Sequence, residues 1–149
     1  MTETCPDFDL PSTSGDVSLA ALKGTPFVLF FYPRDDTSGC TLENEAFTGL
    51  QGDFDALGVK VFGVSKDSIA SHEKFMKKKA LTVPLISDEG GTLCEDFGVW
   101  AEKSMYGKKF MGIERSTFLI GADGAVLKAW RKVKVPGHAE EVLEAATAL

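Results

Sequence analysis

A run of seven residues, PFVLFFY at Pro26–Tyr32, limits the possible folds more than any other part of the sequence. Its aromatic and β-branched side chains favour extended backbone. A strand with one buried face alternates apolar and polar residues, whereas this run is apolar throughout. The sequence therefore predicts a strand that is covered on both faces and lies at the centre of a sheet.

The segments after this run alternate between helix and strand. Val59–Val64 is predicted to be a second buried strand, and Asp67 or Ser68 is suited to cap the helix that follows it. Glu43 and Glu45 lie in the first turns of the helix between the two strands, where the helix dipole favours acids. The apolar face predicted for that helix consists of Leu42, Ala46, Phe47, Leu50 and Phe54. This order predicts two parallel strands joined by a helix.

The remaining segments predict antiparallel strands and a closing helix. Ser116–Ile120 and Ala125–Trp130 flank the turn sequence GADG, which is a strong hairpin signal. A smaller hairpin is predicted near the N-terminus, from Cys5–Pro11 and Val17–Leu19. The apolar residues of His138–Leu149 fall on one face of a final helix.

A parallel βαβ half followed by an antiparallel ββα half is the arrangement of the thioredoxin fold. We therefore expect an α/β protein with a mixed central sheet, helices on both faces and an N-terminal β-hairpin. With 149 residues the chain is long enough to bury a core without disulfides or metal. No linker or repeat interrupts it, so we expect a single domain over residues 1–149.

Charge and cysteine content exclude several classes of function. A net charge of −6 disfavours general binding to nucleic acid or to an anionic membrane. No signal peptide or membrane helix is evident, so a cytoplasmic location is expected. Cys5, Cys40 and Cys94 are an odd number at wide spacings, unlike a secreted disulfide framework. At least one thiol should be free.

Cys40 stands where the polar turn after the central strand becomes a helix. A thiol attacks as its thiolate, and the first turn of a helix stabilises this anion through unpaired N–H groups and the helix dipole. Thr37 is placed to donate to the sulfur or to a substrate oxygen, and Pro33 to cap the pocket. Arg115 is the candidate cation, because it enters a strand expected beside the central one.

Other constellations fit less well. A cysteine hydrolase needs a histidine near its nucleophile, and His72 and His138 are both expected at the surface or as caps. The cysteines and histidines show no metal-ligand spacing, so no metal site is predicted. Asp35 and Asp36 are interpreted as turn residues. The absence of C-x-x-C argues against a thioredoxin-type disulfide reductase.

The pattern formed by Pro33, Thr37 and Cys40, PxxxTxxC, resembles the active-site signature of peroxiredoxins. The longer run YPRDDTSGCT at Tyr32–Thr41 is similar to the PrxQ subfamily, also called bacterioferritin comigratory protein. Residues 6–8, 105–118 and 130–138 agree with this subfamily as well, so the resemblance covers almost the whole chain.

The resemblance implies a thiol-dependent peroxidase that reduces hydrogen peroxide and organic hydroperoxides. By analogy Cys40 is the peroxidatic cysteine and is oxidised to a sulfenic acid. Thr37 and Arg115 hold the thiolate and the peroxide in line, and Pro33 shields the sulfur. No metal or organic cofactor is implied, and a monomer is expected.

The chain departs from the subfamily in the cysteine that resolves the sulfenic acid. At the two positions where relatives carry it, this sequence has Glu45 and Met76. Cys94 and Cys5 are interpreted as buried packing residues, with a resolving role as the lesser alternative. The leading hypothesis is a one-cysteine mechanism with glutathione, glutaredoxin or thioredoxin as reductant.

Two other classes of function stay open at this point. A redox sensor or thiol-dependent holdase would use the oxidation of Cys40 without high turnover, and a binding module would not need Cys40 at all. The candidate lining residues Phe31, Trp100 and Phe110 suggest an apolar rim around the thiol, and the sequence leaves the preference between hydrogen peroxide and organic hydroperoxides open.

Overall fold

The structure, a computed structural model, describes residues 4–149. Its strands are β1 Asp9–Leu10, β2 Val17–Ser18, β3 Phe27–Phe31, β4 Lys60–Ser65, β5 Leu85–Ser87, β6 Trp100–Met105, β7 Lys108–Ile113, β8 Ser116–Ile120 and β9 Val126–Trp130. Its helices are α1 Leu19–Leu22, α2 Ser38–Ala56, α3 Ile69–Lys79, α4 Leu93–Asp96 and α5 His138–Thr147. Within the described part of the chain, no helix is long and apolar enough to cross a membrane.

The main sheet has the strand order β5-β4-β3-β8-β9. The central strand is β3, which runs parallel to β4 and antiparallel to β8. All five of its residues are buried, as the uninterrupted apolar run predicts. The predicted mixed sheet and N-terminal hairpin are confirmed, with β1 and β2 paired antiparallel.

Alternation along β3 divides the core into two clusters. Val28 and Phe30 point to the face covered by the three long helices α2, α3 and α5. Phe27, Leu29 and Phe31 point to the opposite face, which the short helices α1 and α4 and the hairpins cover. Because successive side chains of a strand point to opposite sides, one apolar run serves both clusters.

An aromatic stack fixes α2 to the central strand. The ring centroids of Phe30 and Phe47 lie 4.4 Å apart, and the two ring planes make an angle of 11°. Such pairs contribute about 0.5–1.5 kcal/mol beyond the burial of their area. The stack is two turns along α2 from Cys40, so it anchors the helix that carries the thiol.

The apolar face predicted for α2 is wrong at its first position. Leu42 is 60% exposed, and Glu43 and Asn44 are buried instead. The buried face passes through Cys40, Glu43 and Phe47 at spacings of three and four residues. Leu42 follows Cys40 by two residues and therefore points away from the sheet.

The β6–β7 hairpin was not predicted from the sequence. Its turn residues Tyr106 and Gly107 both have positive φ, 52° and 76°. Two successive residues in this region form the tight turn that matches the twist of a two-stranded hairpin. The Tyr106-Gly107 pair was the available signal, but tyrosine is an unusual residue for this conformation.

Candidate active site

Cys40 lies in the first turn of α2, on the face toward the sheet. The chain leaves β3 at Phe31, and Thr37 is the N-cap residue of α2. Cys40 is the third residue of the helix, where backbone N–H groups have no partner within the helix. Its side chain is 1% exposed, and its thiol is free. The helix begins at Ser38, two residues before Cys40, which places the sulfur within the first turn as predicted.

Arg115 brings a positive charge to the sulfur. Its Nη2 lies 3.3 Å from Cys40 Sγ, and its Nη1 lies 2.6 Å from Glu43 Oε1. The strand register sets this approach, because Ser116 pairs with Phe31 at the end of β3. Arg115 therefore stands beside the segment that leads into α2. Burial opposes its charge, but Glu43 and Cys40 outweigh burial and raise the pKa of Arg115.

Gly39 leaves room for the guanidinium. A Cβ atom at this position would lie 3.2 Å from Arg115 Nη2, tighter than an ordinary contact. The glycine just before the thiol therefore permits the close approach of Arg115.

Glu43 is the site residue that sequence reasoning missed. The sequence indicated only an acid in the first turns of the helix, where the helix dipole favours one. In the structure Glu43 is 1% exposed and paired with Arg115. Burial raises the pKa of Glu43 to about 7, although the Arg115 charge opposes that rise. Within residues 4–149 its Oε2 is buried without a hydrogen-bond partner. Its position, three residues after Cys40, was the available signal, since this spacing puts both side chains on one helix face.

Thr37 and Pro33 flank the thiol from the preceding loop. The Thr37 hydroxyl is exposed and donates to the carbonyl of Arg34 at 2.9 Å, not to the sulfur. Pro33 is half-buried. The role predicted for Thr37 toward the sulfur or a substrate stays a prediction.

Both histidines contradict the expectation that they are surface or capping residues. His72 is fully buried and His138 is 5% exposed. His138 Nε2 lies 2.8 Å from Thr117 Oγ1 under the main sheet, and burial lowers the pKa of His138. His72 Nδ1 lies 2.8 Å from Asp35 Oδ2. Helical spacing assigns each histidine to one face of its helix, but it does not show whether other elements of the fold cover that face.

Asp35, Asp67 and His72 are a group of ligand-type side chains whose ligand atoms lie within 4.8 Å of one another. Hydrogen bonds already occupy these atoms: Asp67 Oδ2 accepts from the Asp35 N–H and from the Ser65 hydroxyl. These side chains therefore take part in one hydrogen-bonded network.

Cys5 and Cys94 are buried on the other side of the sheet from Cys40. Both belong to the core cluster that contains Phe27 and Phe31, whereas Cys40 belongs to the cluster under the long helices. Burial raises the pKa of Cys5 to about 12 and raises that of Cys94 as well. Neither thiol is therefore disposed to ionise where it lies.

The predicted apolar rim is wrong for Phe31, which is fully buried in the core. Phe110 is 44% exposed, and Trp100 is half-buried. Lys103 pairs with Phe110 across the β6–β7 hairpin, and burial together with the nearby Arg115 charge lowers the pKa of Lys103. The hairpin therefore places the Lys103 amine close enough to Arg115 and Cys40 for their charges to act on it.

Comparison with known proteins finds related sequences and structures. The sequence profile of the AhpC/TSA family matches residues 1–129. The chain is 51% identical to Peroxiredoxin Bcp of Xanthomonas campestris, covering 93% of this chain and 88% of that one. It is 44% identical to Peroxiredoxin Bcp of Bacillus subtilis, covering 95% of this chain and 91% of that one.

Solved structures show the same likeness. A cysteine-to-serine mutant of Xylella fastidiosa PrxQ has a TM-score of 0.92 at 41% identity, covering 99% of this chain and 95% of that one. Xanthomonas campestris bacterioferritin comigratory protein was solved as trapped intermediate/ligand complexes to study its alkyl peroxide reduction activity. Its TM-score is 0.89 at 47% identity, covering 95% of this chain and 90% of that one.

Proposed function

Since the chain belongs to the AhpC/TSA family and is a peroxiredoxin, a thiol-dependent peroxidase, we propose that Cys40 is its peroxidatic residue. One observation carries the proposal: Arg115 Nη2 lies 3.3 Å from the Cys40 sulfur. An arginine stays charged at every relevant pH and favours the thiolate over the thiol.

The reaction we propose is a displacement on oxygen. The Cys40 thiolate attacks one peroxide oxygen, an S–O bond forms, and the O–O bond breaks. The leaving oxygen takes up a proton and departs as water or an alcohol. The sulfur is oxidised by two electrons to a sulfenic acid, and the peroxide is reduced by two.

The groups around Cys40 have distinct roles in this proposal. Arg115 stabilises the thiolate and the charge that develops on the leaving oxygen. Glu43 holds the guanidinium in place from the other side, through Nη1. Thr37 binds a peroxide oxygen after its hydroxyl turns from the Arg34 carbonyl, and Pro33 shields the sulfur from water.

An external thiol resolves the sulfenic acid in the mechanism we favour. The separation of Cys5 and Cys94 from Cys40 by the sheet supports this, as do their raised pKa values. An incoming thiol would bond to the Cys40 sulfur and release water, and a second thiol would then reduce the mixed disulfide. Glutathione, glutaredoxin and thioredoxin are the candidate reductants. Resolution by Cys94 or Cys5 is the lesser alternative, because it requires a rearrangement across the sheet.

The proposed substrates are hydrogen peroxide and organic hydroperoxides. The exposed Leu42, two residues after Cys40, and the exposed Phe110 give apolar surface for an alkyl group. We also propose that the protein acts as a monomer in the cytoplasm, where a reducing environment keeps three buried thiols free.

Mass spectrometry tests the assignment of Cys40. The reduced protein receives one equivalent of hydrogen peroxide with dimedone present, and peptide masses locate the products. We expect a dimedone adduct on Cys40, with Cys5 and Cys94 still reduced, and none in Cys40→Ser. The Cys5→Ser/Cys94→Ser double variant is the matched control and should retain turnover with an external thiol. A disulfide from Cys40 to either other cysteine would overturn the one-cysteine mechanism, and an unmodified Cys40 would overturn the peroxidatic assignment.

A further inference from the structure

A buried polar network lies behind the loop that leads to Cys40. The Asp35 carboxylate accepts hydrogen bonds from the Tyr32 hydroxyl at 2.6 Å and from the Ser71 hydroxyl at 2.8 Å. His72 Nδ1 approaches its Oδ2 at 2.8 Å. Asp35 is 7% exposed and His72 is fully buried. None of these groups touches the Cys40 sulfur, so the proposed chemistry leaves them without a role.

The partners of His72 fix the position of one proton. Nε2 lies 3.0 Å from the carbonyl oxygen of Ile86, which can only accept, so Nε2 carries a hydrogen. Nδ1 faces a carboxylate oxygen, and a close contact between these atoms requires one hydrogen between them. The hydrogen bond between His72 Nδ1 and Asp35 Oδ2 is buried and therefore shielded from water.

Several further contacts anchor the loop to α3 or to the segment just before it. The Asp35 N–H donates to Asp67 Oδ2 at 2.8 Å. Asp36 has a positive φ of 58° and pairs with Lys78 at 2.7 Å. The central anchor is the buried pair of Asp35 and His72. Of the two, Asp35 belongs to the loop and precedes Cys40 by five residues.

Cys40 must become accessible before another thiol can reach its oxidised sulfur, since its side chain is 1% exposed. A local opening of the loop and the first turn of α2 achieves this without global unfolding. Such an opening pulls Asp35 away from His72, which would leave two buried polar groups unsatisfied. The opening equilibrium therefore depends directly on this pair.

We propose that the Asp35–His72 pair is a latch that holds the peroxidatic loop closed, and that its rupture exposes Cys40 to the reductant. The latch rests on the proposed function, because it separates the two half-reactions of a peroxidase. His72 is a positioning residue in this scheme: it favours attack on peroxide in the closed state and limits reduction, which needs the open state.

The test compares His72→Gln with His138→Gln. Both replace a buried histidine of a long helix, but His138 bonds to Thr117 and, among the described residues, makes no side-chain hydrogen bond to the loop. Two single-turnover rates are measured: oxidation by hydrogen peroxide, and reduction of the oxidised protein by 5-thio-2-nitrobenzoate. Loss of one buried hydrogen bond raises the ratio of open to closed protein about ten-fold, so we expect His72→Gln to raise the ratio of the reduction rate to the oxidation rate about ten-fold. His138→Gln should leave the ratio of the two rates unchanged.

Alkylation separates the latch from the peroxidase assignment. Iodoacetamide modifies Cys40 of the reduced protein only when the loop opens, whether or not Cys40 reacts with peroxide. We expect about ten-fold faster modification in His72→Gln. Ser71→Ala removes one bond to Asp35 and should give a smaller increase, which keeps the test valid if His72→Gln does not fold. Equal alkylation in wild type, Ser71→Ala and His138→Gln, or equal rate ratios in the two histidine variants, would overturn the latch.

Discussion

Replacing the buried Glu43 carboxyl by an amide should change how stability depends on pH. Glu43 has an ordinary pKa of 4.5, and burial raises it to about 7 in the folded protein. The unfolded chain therefore releases this proton at lower pH than the folded chain. Stability from the neutral carboxyl is present in full below pH 4.5 and is lost as the pH rises through about 7.

The size of the effect follows from the two pKa values. Each pKa unit corresponds to ~1.36 kcal/mol, so the rise from 4.5 to about 7 corresponds to a loss of about 3 kcal/mol. Glu43→Gln keeps a similar shape but has no proton to lose. The free energy of unfolding of this variant, relative to wild type, should increase by about 3 kcal/mol between about pH 4 and about pH 8.

Urea denaturation at a series of pH values measures this difference directly, because the other titrating groups are common to both proteins. Glu45→Gln is the matched control: Glu45 lies on the same helix but is exposed, so its difference from wild type should stay nearly flat. A difference between Glu43→Gln and wild type that does not change with pH would refute the assignment of a raised pKa to Glu43.

Three further changes test the packing of the site and core. Arg115→Lys should lower kcat/KM for peroxide about a hundred-fold in stopped-flow assays, because an ammonium cannot bridge the sulfur and the carboxylate as a guanidinium does. Gly39→Ala should lower it about ten-fold by displacing Nη2, whereas Gly52→Ala, with open space around it, should leave the rate unchanged and stabilise the helix by about 0.8–1.0 kcal/mol. Gly63→Ala would place its Cβ 2.8 Å from the Phe30 ring and should lower the free energy of unfolding, measured in urea, by about 1–3 kcal/mol.

Local patterns carried most of the fold. The apolar run at Phe27–Phe31 predicted a central strand, and the GADG turn predicted the β8–β9 hairpin. Both depend on residues near one another in the chain, so propensity and periodicity are sufficient. The β6–β7 hairpin was not predicted because its exposed strands show little alternation of apolar and polar residues. Its turn also places a tyrosine at positive φ.

The same distinction holds for the site. A cysteine at the junction of turn and helix is readable from the sequence, because helix starts have local signals. The partners of that cysteine are not local. Arg115 meets Glu43 across 72 positions of the chain, and His72 meets Asp35 across 37.

The sequence by itself predicted the order of the strands and long helices apart from the β6–β7 hairpin, the place of Cys40 at a helix start and Arg115 as its candidate cation. Only the tertiary structure decided that Glu43 is buried against Arg115, that both histidines are covered, and that Cys5 and Cys94 lie across the sheet from Cys40. The physical reason is that periodicity specifies a face of an element, whereas strand register and helix packing specify what covers that face.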